Sequence, residues 1–177
     1  KGVVVFPDAI AVQDEVALHD ATGEAIPASI CRITGAPSLA ELTNWAESLR
    51  EEPPKAPEIL DELVGRPVIT FLSENHAADF GPAPGEPGPL GAFIGYTETS
   101  VFESVREVLE RIGLPVVLVE KLHPSSESEI TGPLAASAVD WRPVHDADLR
   151  SLLWHSDLVL GMRSMALLEA AVLGCRT

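Results

Sequence analysis

Between residues 67 and 177, short apolar runs alternate with helical patterns, and this alternation limits the possible folds more than any other feature. Pro67 to Leu72 is a clean run rich in β-branched residues, and Leu114 to Leu122 is nearly continuous in apolar character. The last repeat of the pattern is the tightest. Leu158 to Leu160 is followed by Gly161, a polar step through Met162, Arg163 and Ser164, and an apolar stretch from Met165 to Leu173 that ends at Gly174. Short apolar runs bounded by turn residues suit buried strands, and the spacing of Met165, Leu168 and Val172 suits a helix. Strands alternating with helices predict an α/β fold with a parallel sheet and right-handed crossovers. In such open sheets ligands sit beyond the carboxyl ends of the strands. Three stretches fall there: the loop from Ser73, the turn at His123 and the turn at Gly161.

The remaining segments are read around that unit. Val3 to Phe6 and Ala9 to Val12 are short apolar runs, Glu15 to Ala21 has helical composition closed by Gly23, and Ser29 to Ile33 suits a strand. After the turn Thr34 to Pro37, a helix is expected from Ser38, with Ser38 as cap and Glu41 three residues on. Glu51 to Pro57 is charged and carries three prolines, as a linker or loop would. Glu58 to Val64 suits a short helix. Ser73 to Gly95 is rich in proline and glycine and too long for an ordinary βα connection. A helix capped by Thr99 or Ser100 follows, presenting Val101, Phe102, Val105, Val108, Leu109 and Ile112 and ending at Gly113. Ser125 to Ala136 is polar, Ala138 to Trp141 suits a short strand, and His145 to His155 is amphipathic with Asp146 and Asp148 in its first turn.

A chain of 177 residues with 46% hydrophobic content can bury a sizeable core, and its 5% aromatic content makes that core mostly aliphatic. No run approaches the roughly 18–20 apolar residues of a membrane span. The formal net charge of −15 argues against binding nucleic acid, which requires lysine and arginine against phosphates. Any phosphate ligand would need a few local donors instead of a broad basic field. Cys31 and Cys175 are far apart and lie in no CxxC pair, so both are expected reduced, in a cytoplasmic protein.

Candidate chemistry gathers at the three strand mouths. His123 follows a strand, and Pro124 fixes the backbone after it; its imidazole suits a phosphate oxygen, or is an ordinary loop histidine. Lys121 shares its strand face, and Ser125 and Ser126 offer hydroxyls nearby. Arg163, Ser164 and Met165 open the last helix. There Ser164 suits a cap, the neighbouring N–H groups suit an anion, and Arg163 suits either a bidentate phosphate contact or a surface ion pair. Glu169 stands in an otherwise apolar helix, where it suits ribose hydroxyls, or else a structural ion pair or exposure at the helix edge. Glu74 and His76 in the long loop are acid–base candidates, or polar residues of a plain loop. No HExxH or CxxC metal spacing, P-loop, GxSxG or GxGxxG is present, so neither a metal nor a bound cofactor is expected and a standard dinucleotide fold is disfavoured.

Three segments taken together resemble the carboxy-terminal half of GT-B-type glycosyltransferases and of the related non-hydrolysing nucleotide-sugar 2-epimerases. They are Ile33 to Pro37 before a helix, the strand ending Lys121-Leu122-His123-Pro124, and Ser156 to Met162 with a following helix that holds Glu169 and ends Leu173-Gly174. The histidine–proline step is similar to that of bacterial sialyl-, polysialyl- and capsule-polymer transferases. The resemblance implies a three-layer Rossmann-like domain over residues 67–177, one half of a GT-B architecture. It implies a helical linker over 37–66, and over 1–36 the tail of a preceding domain or a leading βαβ segment. It further implies a nucleotide-sugar donor whose phosphates meet His123, Pro124, Ser125, Arg163, Ser164 and Met165 and whose ribose meets Glu169. Where the epimerases carry Ser-Gly-Gly, this chain has Met162-Arg163-Ser164-Met165, which favours a transferase over an epimerase. A non-catalytic nucleotide- or protein-binding module is the other reading. The expected partners are the donor, an acceptor-binding domain outside this sequence and, in an oligomer, a second copy. The chain opens on Lys1 and closes at Arg176-Thr177 where a further strand is expected, so it is read as a piece of a larger, polysaccharide-building enzyme.

Overall fold

The computed structural model describes residues 5–49, 51–61, 65–125 and 138–177. The chain divides between Trp45 and Ala46 into two compact units. In the first, strand β1 (Ile10–Val12) leads through helix α1 (Glu15–Gly23) to strand β2 (Cys31–Ile33), which pairs with β1 in parallel. Asp14 caps α1 by accepting from the Ala17 N–H at 2.8 Å. Helix α2 (Pro37–Ser48) begins one residue before the expected Ser38 cap. Proline fits this first helical position because the N–H it lacks would have no intrahelical partner.

The second unit holds strand β3 (Val68–Leu72), helix α3 (His76–Phe80), helix α4 (Glu98–Ile112), strand β4 (Val116–Lys121), strand β5 (Val139–Val144), helix α5 (Leu149–Trp154), strand β6 (Leu158–Leu160) and helix α6 (Met165–Val172). The four strands form one parallel sheet in the order β5-β4-β3-β6, flanked by helices on both faces. This is the three-layer, Rossmann-like α/β arrangement. Strand periodicity assigns the two faces. Ile69, Phe71, Val116 and Leu118 pack with Phe102 under α4, and Val101, Val105 and Leu109 of that helix close over them. Val68, Val117 and Val119 pack with Leu60 and Leu152, while Leu72 and Val159 pack with Leu153, Ala166 and Ala170 beneath α5 and α6. Phe71, Val117, Leu118, Val119 and Val159 are fully buried, each stabilising the fold by about 1.5–3 kcal/mol.

Polar groups lock the register. The Val68 N–H donates to Asp157 Oδ2 at 2.8 Å, and the Asp157 N–H returns a bond to the Val68 carbonyl at 2.8 Å. Arg66 donates to Asp140 Oδ2 at 2.9 Å and to the Val116 carbonyl at 2.7 Å, fastening the starts of three strands. On the far side of β6, Arg176 forms a parallel bridge with Leu158, where the sequence pattern anticipated another strand.

Several elements differ from the sequence reading. The cap of α4 is Thr97, two residues earlier than the first expected candidate; Ser100 is its reciprocal partner in a capping box, and Gly113 ends the helix at φ 70°. Strand β5 runs through Arg142 and Pro143 to Val144, longer than predicted. The proline is tolerated because the bonds of Ala138 and Val144 to β4 leave odd-numbered residues of β5 facing away from it. Helix α5 starts only at Leu149, with Asp148 as its cap and Asp146 outside it. The predicted helix at Glu58 is a 3-10 turn, Glu58–Leu60, and residues 62–64 lie outside the described residues, as do 126–137 of the polar segment. The long loop contains helix α3, and its glycines bring the remainder against that helix. A Cβ on Gly88 would stand 2.3 Å from the Asp79 carbonyl oxygen, and one on Gly81 only 1.6 Å from that of Glu86. Among the described residues no helix is long and apolar enough to cross a membrane.

Candidate functional site

From β3 the chain moves outward to β4 and β5, then returns through α5 to place β6 on the other side of β3. The carboxyl ends of β3 and β6 therefore bound a topological switch point, where connections diverge to opposite faces and leave a crevice. A cavity of about 420 Å³ lies there. All three suspected strand mouths contribute to its lining: Glu74 and His76 after β3, His123 after β4, and Arg163, Ser164 and Met165 after β6.

Glu74 ties two of these mouths together. Its Oε1 accepts from the Arg163 N–H at 2.7 Å and from the Met162 N–H at 3.1 Å. Two N–H groups converging on one carboxylate oxygen make a strong, charge-assisted arrangement. The second oxygen, Oε2, lies 3.7 Å from His76 Nδ1. His76 is buried, with its side chain 5% exposed, and its ring faces Phe80 and Tyr96 at centroid distances of 6.0 and 5.5 Å. Its Nε2 is buried and has no hydrogen-bond partner among the described residues.

The histidine at the β4 mouth is exposed and held differently. The Ser125 N–H points at His123 Nδ1 from 3.3 Å, and Ser125 Oγ lies 2.8 Å from the same nitrogen. Asn75 Nδ2 donates to Ser125 Oγ at 2.6 Å, which leaves the serine hydroxyl hydrogen for Nδ1. With Nδ1 accepting, the neutral ring carries its proton on Nε2 as the available donor. Asn75 is the residue before α3, yet its side chain makes no capping bond; Glu98 of α4 accepts from the Ala77 N–H at 2.9 Å instead. The side chain that would have capped the helix is thus released to orient the β4 mouth.

At the third mouth Ser164 caps α6, accepting from the Ala166 N–H at 3.2 Å as the sequence suggested. Arg163 is exposed, with its guanidinium carbon 5.9 Å from the centre of the Phe80 ring. That stacking orients a long cation at the crevice wall. Met165 is 63% exposed. Pro124 is exposed beside His123, and Ser126 lies outside the described residues.

Two expected contributors lie elsewhere. Glu169 is not in the crevice lining; its carboxylate is 4.0 Å from Arg150 Nε on α5. The structural ion pair is therefore the option observed for this residue. Lys121 donates to the His145 carbonyl at 2.6 Å, and burial pulls its ammonium below the usual lysine value. The crevice also includes Asn75, Asp79, Phe80 and Leu90, to none of which the sequence assigned a role. The signal available for them was only their place in the loop after a buried strand. A second cavity, of about 490 Å³, lies beyond β5 between the Lys55–Ile59 segment and the start of α5. Among the described residues no group of three or more His, Cys, Asp or Glu is arranged to hold a metal ion, and both cysteines are free.

No protein-family model matches the chain, and neither a curated protein nor a solved structure matches it.

Proposed function

We propose that the second unit is the donor-binding domain of a sugar-nucleotide-dependent glycosyltransferase, with the nucleotide diphosphate in the switch-point crevice. The observation that carries the reading is the convergence of His123, Arg163 and Ser164 on one cavity from two separate strand mouths of a parallel sheet. A volume of about 420 Å³ falls within the range of small-molecule sites. In an acidic chain, these few local donors are what a phosphate requires. The His123 Nε2–H and the Arg163 guanidinium donate to phosphate oxygens, and Ser164 positions the start of α6 beside them. As an acceptor hydroxyl gives up its proton to a base of the acceptor-binding domain and bonds to the anomeric carbon, the bond from that carbon to the diphosphate oxygen breaks. The same donors neutralise the charge arriving on the leaving group. The acceptor would be held by a domain outside this sequence. Glu169 has no part in this reading, because its carboxylate faces Arg150.

The reading is tested by thermal shift with nucleoside mono- and diphosphates. The expected result is stabilisation of the wild type by a nucleoside diphosphate and its loss in His123→Ala. No response to any nucleotide by the folded chain would sink it.

A further inference from the structure

The paired N–H groups of Met162 and Arg163 form an anion site that the chain fills with its own carboxylate. We propose that Glu74 is an internal stand-in for the ligand's phosphate: an incoming phosphate takes these two N–H groups, and Glu74 must leave them. This rests on the reading of the crevice as a phosphate site and adds a built-in competitor to it.

Three observations carry the proposal. Glu74 Oε1 lies 2.7 and 3.1 Å from the two backbone nitrogens, the distances at which a phosphate oxygen would accept from them. The carboxylate lines the same cavity as His123, Arg163 and Ser164, so an anion held by those side chains comes within reach of the N–H groups that Glu74 occupies. In the same wall His76 is 95% buried at its side chain and has an unpartnered Nε2, a polar atom the internal arrangement does not satisfy. A buried polar atom without a partner is costly, so the arrangement around Glu74 leaves this wall of the cavity incompletely satisfied. Glu74 is not the only acid lining the cavity, since Asp79 of α3 also does. The two differ in one respect: only Glu74 has a hydrogen bond to the β6–α6 turn.

The test is calorimetric titration of the 177-residue chain with inorganic pyrophosphate and with uridine diphosphate, comparing wild type, Glu74→Ala, Glu74→Gln and Asp79→Asn. A site blocked by its own side chain binds more weakly by the fraction of time it is open, so Glu74→Ala is expected to tighten pyrophosphate about tenfold or more. Asp79→Asn, which removes a charge but frees no N–H group, is expected to gain less than about threefold from reduced repulsion. Glu74→Gln keeps a carbonyl oxygen for the two N–H groups, so it preserves the fold if the alanine variant does not and is expected to show an intermediate gain. Equal gains in Asp79→Asn and the Glu74 variants would overturn the proposal, as would weaker binding in either Glu74 variant. In both cases measurable binding by the wild type leaves the donor-site reading standing. Absence of binding by every folded variant defeats both.

Discussion

Thr70 and Ser156 share a hydrogen bond of 2.8 Å between their hydroxyls in the sheet interior, where Thr70 is fully buried. Ser156 Oγ also donates to the Leu152 carbonyl at 2.7 Å, so its hydrogen is committed and Thr70 is the donor of the pair. The bond joins β3 to the residue where α5 turns into the amino end of β6. Ser156→Ala would orphan the Thr70 hydroxyl and is expected to cost about 1–3 kcal/mol, whereas Thr70→Val is expected to cost only about 1 kcal/mol. The double variant should be more stable than the sum of the two losses predicts. Urea denaturation of the four proteins measures this, and strict additivity would refute the pairing.

Asp140 is expected to make stability fall in acid. The Arg142 hydrogen bond, with further attraction from Arg142 and Arg66, holds its carboxyl below the ordinary aspartate range against a smaller opposing effect of burial. A lowered folded-state pKa favours the native state above the unfolded value. That contribution is lost as pH falls below roughly 4 and passes through the folded value. Asp140→Asn should therefore be less stable than wild type at pH 7, with the gap narrowing in acid. Urea midpoints measured from pH 7 to pH 2 would show it, and a gap independent of pH would contradict it.

Glu120 has the opposite sign. Burial raises its carboxyl pKa, Glu103 raises it further, and the Trp141 indole N–H opposes by donating to Oε2 at 3.1 Å. Because the folded state holds this proton more tightly than the unfolded one, stability falls as pH rises from the unfolded value through the folded one. Glu120→Gln keeps an acceptor for Trp141 and sheds the buried charge. Its melting temperature is expected to exceed that of wild type at pH 7 and to converge with it below about pH 4.

The crevice wall depends on two glycines. Gly81 adopts φ 93°, and any side chain there would collide with Glu86, while Gly88 lies against the backbone of Asp79 and Phe80. Gly88→Ala should push the loop off α3, carrying Leu90 away from the crevice, at a cost of about 1–3 kcal/mol. Faster cleavage by limited proteolysis within residues 82–90, beside unchanged cleavage elsewhere, is the expected signature.

The alternation of strands and helices in the second unit was legible because strands buried on both faces read as continuous apolar runs. Pro67 to Leu72 and Leu114 to Leu122 announce β3 and β4, each only slightly too long. The cap at Ser164 was legible because capping is a local hydrogen bond. Helix α3 was not, since its start is satisfied by Glu98, twenty-one residues from Ala77 in the chain. Strand β5 is read only to Trp141, because the pattern does not reveal which way the nitrogen of Pro143 points. At the site, His123, Arg163 and Ser164 were found as residues at strand mouths. Their common cavity, the hold of Glu74 on the β6 turn and the turning of Glu169 toward Arg150 depend on strand order and helix packing, which no local window contains.

Pro143 has a further consequence, for association between molecules. Among the described residues β5 pairs only with β4, and the backbone groups of Trp141 and Pro143 face the outer rim of the sheet. An unpaired rim is a template on which a second chain can add a strand. Here the rim lacks an N–H at Pro143, and any strand laid along it forfeits a bond at that step. Strand addition at this rim is thereby discouraged by the same residue that hid the strand from view, and Pro143→Val is the change that would restore the template.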